Sequence, residues 1–228
     1  MSLFIVATPI GNLRDITFRA IEILQSVDLV AAEDTRTAKK LFTKFDIHTP
    51  LTSFHAHSTD RSAEKLIEKM KSGKSVALIS EAGTPGISDP GFKLIQKAIE
   101  VGIKIVPIPG ACAAIAALSA SGLRMDKFIF LGFLPRKKGR KKLFTSLREE
   151  TRTIVFYESP HRILKTISEL AEALNPKRKI VLARELTKIH EEFFRGSLDE
   201  AVDFLNSKKA RGEFTVVLGG LDKKAGNL

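Results

Sequence analysis

The chain has one cysteine, Cys112, among 228 residues, so no internal disulfide framework is available. A single thiol fits a reducing compartment, and a cytoplasmic location is expected. No apolar run approaches the ~20 residues needed to span a bilayer as a helix, and no membrane association is expected. The start, Met1-Ser2-Leu3-Phe4-Ile5-Val6, has no basic stretch ahead of its apolar run, so no secretory signal is expected either. No G-x-G-x-x-G follows the first apolar run. Gly73-Lys74-Ser75 resembles the end of a phosphate-binding loop, but the position needing the earlier glycine holds Glu68. His55-Ala56-His57 has no nearby cysteine and no third spaced ligand, so no metal site is expected. There is no repeat and no low-complexity linker.

What is abundant is positive charge: 37 Lys and Arg against 26 Asp and Glu, a net of +11. Such a balance favours polyanionic partners, with nucleic acid foremost. The excess is uneven: counting along the sequence, residues 1–120 carry 14 basic and 12 acidic side chains, and residues 121–228 carry 23 and 14. A basic surface is therefore expected mainly on the second half.

In the first half, short β-branched runs alternate with stretches of helical spacing. Strands are expected at 3–7, 29–32, 76–80 and 104–108, and helices at 16–27, 35–45, 62–71 and 91–101. That alternation indicates a largely parallel sheet covered on both faces, whose ligands bind at the strand C-termini. After a small-residue helix at 113–120 the character changes. Strands are expected at 128–133, 153–157, 180–184, 192–195 and 214–218, and helices at 141–150, 161–174 and 197–207, a mixed α/β unit. The division is placed at 115/116.

Three glycine- and proline-rich loops follow strands: Thr8–Asn12, Ser80–Gly91 and Pro107–Cys112. Glycine permits close backbone approach and proline fixes shape, so such loops make a floor for a flat ligand. Cys112 opens an alanine-rich helix, and packing is its expected role. Arg136, Lys137, Lys138, Arg140, Lys141 and Lys142 form a cationic run after Gly132-Phe133-Leu134-Pro135, expected to project from a loop and contact phosphates. Two strand ends carry carboxylates beside an arginine: Glu33, Asp34 and Arg36, and Glu158, His161 and Arg162. Asp34 or Thr35 in the first, and Ser159 in the second, can cap the following helix.

Ala7–Leu13, Ala32–Arg36, Ser80–Gly91, Gly132–Pro135 and Phe156–Arg162 together resemble the tetrapyrrole methylase superfamily, over nearly the whole chain. The resemblance implies two α/β domains, S-adenosylmethionine (S-adenosyl-L-methionine) in the cleft between them, and a homodimer. It places the cofactor against Pro9, Ser80, Glu81, Ala82, Gly83, Pro85, Ile87, Ser88, Cys112 and Ala113, with Leu131, Ala183 and Thr215 from the second domain. Within the superfamily, the likeness is to the branch acting on ribosomal RNA. That implies 2′-O-methylation of a cytidine ribose in 16S RNA or the small ribosomal subunit. Glu33, Asp34, Arg36, Glu158 and His161 are the candidates for activating the hydroxyl, and Arg36 and Arg162 for holding the RNA phosphates that flank it. Some relatives continue into a further C-terminal domain where this chain stops at Leu228, which places more of the RNA contact on the basic run. Two other readings stand: methylation of a precorrin-like tetrapyrrole, and an RNA-binding module without catalysis.

Overall fold

In a computed structural model, residues 1–56, 58–207 and 209–221 are described. The chain divides into two compact units, Met1–Cys112 and a second beginning at Ala113.

The first unit is a five-stranded sheet, β1 (Ser2–Val6), β2 (Leu29–Ala32), β3 (Leu51–Ser53), β4 (Val76–Ile79) and β5 (Lys104–Ile108), in the order β3-β2-β4-β1-β5. Every pairing is parallel. Parallel neighbours require crossovers. These are α1 (Phe18–Ser26), α2 (Thr35–Lys44), α3 (Asp60–Lys71) and α4 (Phe92–Glu100). Leu24 of α1 and Leu41 and Phe42 of α2 pack with Val6, Val30, Ala77 and Ile79 on one face. On the other, Leu66 and Met70 of α3 and Leu94 of α4 pack with Leu3, Ile5, Ala31 and Leu78. Burial on both faces explains why β2 and β4 are continuous apolar runs, Leu-Val-Ala-Ala and Val-Ala-Leu-Ile, with every residue buried.

The second unit opens with α5 (Ala113–Ser119). Its sheet contains β6 (Phe128–Phe133), β7 (Thr153–Glu158), β8 (Lys179–Arg184), β9 (Glu192–Ser197) and β10 (Phe214–Leu218), in the order β6-β7-β10-β8-β9. β6 and β7 run parallel and the remaining pairs antiparallel, so the sheet is mixed. α6 (Arg140–Ser146), α7 (Ile163–Ala173) and α8 (Leu198–Ser207) contribute Phe144, Ile167, Leu170 and Leu205 to a core on one face, with Phe156, Leu182 and Val216 from the sheet. α5 packs against β7 and β10.

The expected helix at 141–150 is shorter and starts earlier, at Arg140. β3 and a 3-10 turn at Leu13–Asp15 had no counterpart in the sequence reading. Leu51-Thr52-Ser53 is an edge strand of three residues, two of them polar, too short to display a period.

Candidate active site

In a parallel sheet every β-to-α loop opens at the same edge. The loop after β1, the long loop after β4 and the loop after β5 are therefore brought side by side, because those strands are neighbours in the order β4-β1-β5. They are stitched together. Thr8 and Gly83 exchange two backbone hydrogen bonds, each 2.9 Å, outside any strand. The Thr8 hydroxyl donates to the Ser80 carbonyl at 3.5 Å, and the Thr84 hydroxyl donates to the Ala111 carbonyl at 3.4 Å. A Cβ added to Gly110 would stand 3.0 Å from the Ala7 Cβ, so the third loop presses on the first. Gly83 has φ +77°, a left-handed conformation that L side chains rarely adopt.

This separates the proposed cofactor residues of the first unit into two groups. Ser80, Gly83 and Pro85 are buried and hold the loops in place. Glu81, Ala82, Ile87 and Ser88 are exposed, and Pro9 and Cys112 half-buried, leaving these six able to meet a ligand. Ser88 itself has φ +68°, a costly geometry for a residue other than glycine at the exposed tip of the loop.

Glu33 follows β2 and is half-buried at the same edge. Its carboxylate accepts a long hydrogen bond, 3.4 Å, from the Glu81 backbone N–H. Burial pushes the Glu33 carboxyl above its ordinary pKa; the Asp89 and Glu81 carboxylates add to the rise, while the Glu81 N–H and His55 oppose it. Asp89 is also pushed up by burial, against a hydrogen bond from the Ser80 hydroxyl. Three carboxylates thus gather around one edge of the loop after β4. Asp89 was not singled out in the sequence, where it stood only as one residue of the Ser80–Gly91 loop.

Asp34 is the N-cap of α2 and accepts from the Arg36 backbone N–H at 2.7 Å. The Arg36 guanidinium closes on the same carboxylate at 3.1 and 2.6 Å, holding the Asp34 pKa at about 2. Asp34 is therefore committed to capping and to Arg36, while the Arg36 side chain, 89% exposed, remains open to solvent on its far side. His55 lies exposed beyond β3, and His57 falls outside the described residues. Among the described residues no group of three potential ligands could hold a metal ion.

The second unit assigns its residues differently from the sequence reading. Glu158 is buried, its side chain 0% exposed, and fully engaged. One oxygen accepts from the Ser159 N–H at 2.8 Å; the other accepts from Arg162 Nη2 at 2.7 Å and the Thr166 hydroxyl at 2.8 Å. Arg162 Nη2 also donates to the Leu134 carbonyl at 2.8 Å. A carboxylate so satisfied has no free lone pair aimed at solvent, so Glu158 is a framework residue and not a base for the hydroxyl. The cap expected of Ser159 is not formed: α7 begins only at Ile163, and its N-cap residue, Arg162, makes no side-chain capping hydrogen bond. His161 is exposed.

Arg140 is a second correction. It is buried, 8% exposed, and turns inward from the basic run. Its guanidinium donates to Glu169 at 2.5 Å, to the Pro135 carbonyl at 2.9 Å and to the Thr166 hydroxyl at 2.9 Å. The run is part helix as well, because α6 starts at Arg140. Arg136, Lys137, Lys138, Lys141 and Lys142 are exposed.

Thr215 and Ala183 are paired in register, with Tyr157 on the other side of Thr215. Their flanking residues Phe214, Val216 and Leu182 belong to the core beneath the helices, so this row faces the opposite side of the sheet. The Tyr157 hydroxyl accepts from the Ala114 N–H at 3.2 Å, which brings the start of α5, and Ala113 with it, to the same row. Phe130 and Phe133 meet the Tyr157 ring edge-on at 5.1 and 5.6 Å. Leu131 is not on this face; it packs against the core under the helices, and the strand is irregular between Phe130 and Phe133. Any contact from Leu131 to a ligand on the Thr215 side would have to come from its backbone.

Comparison with known proteins gives concordant results. The family described as Tetrapyrrole (Corrin/Porphyrin) Methylases matches residues 2–202. A protein of Synechocystis sp. called Ribosomal RNA small subunit methyltransferase I is 50% identical over 219 residues, covering 96% of this chain and 78% of that protein. Its Bacillus subtilis namesake is also 50% identical over 219 residues, covering 96% and 75%. Among solved structures, uroporphyrin-III C-methyltransferase from Thermus thermophilus complexed with S-adenyl homocysteine superposes with a TM-score of 0.67 at 16% identity, covering 96% of this chain and 97% of that one, a likeness of fold.

Proposed function

The chain belongs to the tetrapyrrole methylase family, and from that premise we propose that it is a methyltransferase of small-subunit ribosomal RNA that uses S-adenosylmethionine, its acceptor the ribose 2′-hydroxyl of a cytidine in 16S RNA. The observation that carries the substrate class is the 50% identity, over 96% of the chain, to proteins called ribosomal RNA small subunit methyltransferases. The rigid loop floor of the first unit fits the cofactor: a glycine where the backbone bends left-handed, small or apolar exposed side chains at Ala82 and Ile87, and Pro9 and Cys112 at its margin. Bound there, S-adenosylmethionine supplies an electrophilic methyl group, and placement of the acceptor does much of the remaining work.

Glu33 supports the choice of a hydroxyl acceptor. A ribose hydroxyl is a weak nucleophile, and a carboxylate raised above its ordinary pKa is a better proton acceptor than a fully solvated one. Arg36, capped onto Asp34 but open on its outer side, suits a neighbouring phosphate. The five exposed cations of the basic run suit phosphates further along the strand. A homodimer working in the cytoplasm completes the proposal. Among the described residues no helix is long and apolar enough to cross a membrane.

The test is methyl transfer from labelled cofactor to small ribosomal subunits, free 16S RNA and a precorrin, side by side. Nucleoside analysis should yield 2′-O-methylcytidine. Label confined to a base, or to the tetrapyrrole, overturns the acceptor assignment.

A further inference from the structure

A cavity of about 540 Å³ opens in the second unit at the β9 edge of the sheet, the edge opposite the one from which the basic run emerges. Its walls are two loops. One joins β8, whose last residue Arg184 lines the cavity, to β9 and contributes His190; the other joins α8 to β10 and contributes Lys209 and Arg211. Phe204 and Phe214 line it as well.

The walls are built to hold still. Glu185 accepts from the Glu213 N–H and from Lys188 Nζ, each at 2.9 Å, tying one loop to the other. Gly212, φ +77°, lies so close that an added Cβ would stand 2.5 Å from the Glu185 side chain. Glu185 and Thr187 both have positive φ, 52° and 66°, and among the described residues the buried Thr187 hydroxyl has no hydrogen-bond partner. Left-handed geometry at a β-branched residue is costly, and such strain concentrates at binding sites.

The charges in the cavity are not equivalent. Glu192 is paired with Arg184 at 3.1 Å, and Glu191 accepts from the Thr187 N–H at 2.6 Å, so both acids are engaged by the protein. Lys209 and Arg211 are exposed, and among the described residues their side chains form no ion pair. Two cations without an ion pair among the described residues, beside the half-buried Phe204, suit a nucleotide that is part of a chain, with phosphate on the cations and the sugar or base against the apolar side.

We propose that this cavity holds one nucleotide of the single-stranded RNA substrate, with Lys209 and Arg211 on its phosphate. The assignment rests on the RNA reading above and deepens it, giving RNA a second contact across the sheet from the basic run. The test is Lys209→Gln with Arg211→Gln in the full chain, with 16S RNA binding titrated against salt. Both cations sit on one phosphate, so losing the pair should flatten the log–log salt slope by about 0.7. Cofactor affinity and the melting temperature should stay unchanged, and Lys209→Glu should weaken RNA binding further. Lys69→Gln with Lys71→Gln, two exposed cations of α3, removes the same charge elsewhere. An unchanged slope in the cavity pair, or an equal flattening in the α3 pair, overturns the cavity assignment while the RNA reading stands. A wild-type chain that neither binds nor methylates RNA removes the RNA reading, and the cavity assignment with it.

Discussion

Gly83 tests the loop floor by graded substitution. It sits at φ +77°, locked to Thr8 by two backbone bonds, so the loop cannot relax at this residue without breaking the bridge. A Cβ built there would meet Ile10 Cγ2 at 3.4 Å and the Ala111 carbonyl oxygen at 3.7 Å, ordinary contacts that an alanine would tolerate. Gly83→Ala should therefore carry the left-handed penalty alone, about 1–2 kcal/mol. Gly83→Val adds two methyl groups toward Ile10 and Ala111, an overpacking term of about 1–3 kcal/mol. At about 2–4 °C per kcal/mol for a chain of this size, the expected losses in Tm are roughly 4 °C for alanine and roughly 10 °C for valine. Calorimetric titration with S-adenosylmethionine should show little change for alanine. For valine it should show a Kd raised about ten-fold or more, equivalent to about 1.4 kcal/mol. A valine variant that melts with the parent refutes the strained bridge. One that melts early yet binds the cofactor with parental affinity refutes the loop as its floor.

Glu33→Gln should reduce turnover about ten-fold or more with cofactor binding intact. Because the folded pKa is raised above 4.5, ionisation of Glu33 costs stability as pH climbs from there through the folded value. The Gln variant should thus melt higher than the parent near neutral pH, with the gain vanishing on acidification below about pH 4, and equal melting at all pH values would contradict it. Thr166→Val removes a buried hydroxyl that links Arg140 at 2.9 Å and Glu158 at 2.8 Å. Hydrogen bonds to charged groups contribute about 1.5–3 kcal/mol each, so a fall in Tm of roughly 6–24 °C is expected, and one under about 2 °C would deny the network its role. Replacing Arg136, Lys137, Lys138, Lys141 and Lys142 with Gln, and keeping Arg140, should flatten the salt slope of RNA binding by about 0.7 per phosphate contacted. An unchanged slope would make the run a solvated face.

The architecture was legible because both of its signals are local. β4 and β5 are short apolar or β-branched runs, and α2 announces itself by Asp34 ahead of a helical spacing. The glycines and prolines of Ser80–Gly91 revealed a loop too elaborate for a simple connection. Partners distant in sequence were not visible. Arg140 looked like one more cation in a run because Thr166 and Glu169, which turn it inward, lie 26 and 29 residues away. Glu158 looked like a site carboxylate because Ser-Pro-His-Arg follows it, and only the fold shows Arg162 and Thr166 closing over it. Asp89 became notable only when the sheet set the loop after β4 beside the end of β2.

The position of β1 bears on how the protein is made. It comes before every other strand of its sheet in the chain, yet Leu3 pairs with Val76 on one side and Ile105 on the other. A strand with both edges open is a template for wrong partners until its own arrive. Contacts so distant in sequence are also slow to form, since the closure entropy of the intervening chain comes before their reward. On the ribosome, the amino-terminal segment must therefore wait for most of its unit to emerge. The Thr8–Gly83 bridge needs β4 beside β1, and the three-loop floor can close only after β5 has docked as well, which makes the ligand-binding surface a late product of assembly, and competence to bind a report that β4, β1 and β5 are in register.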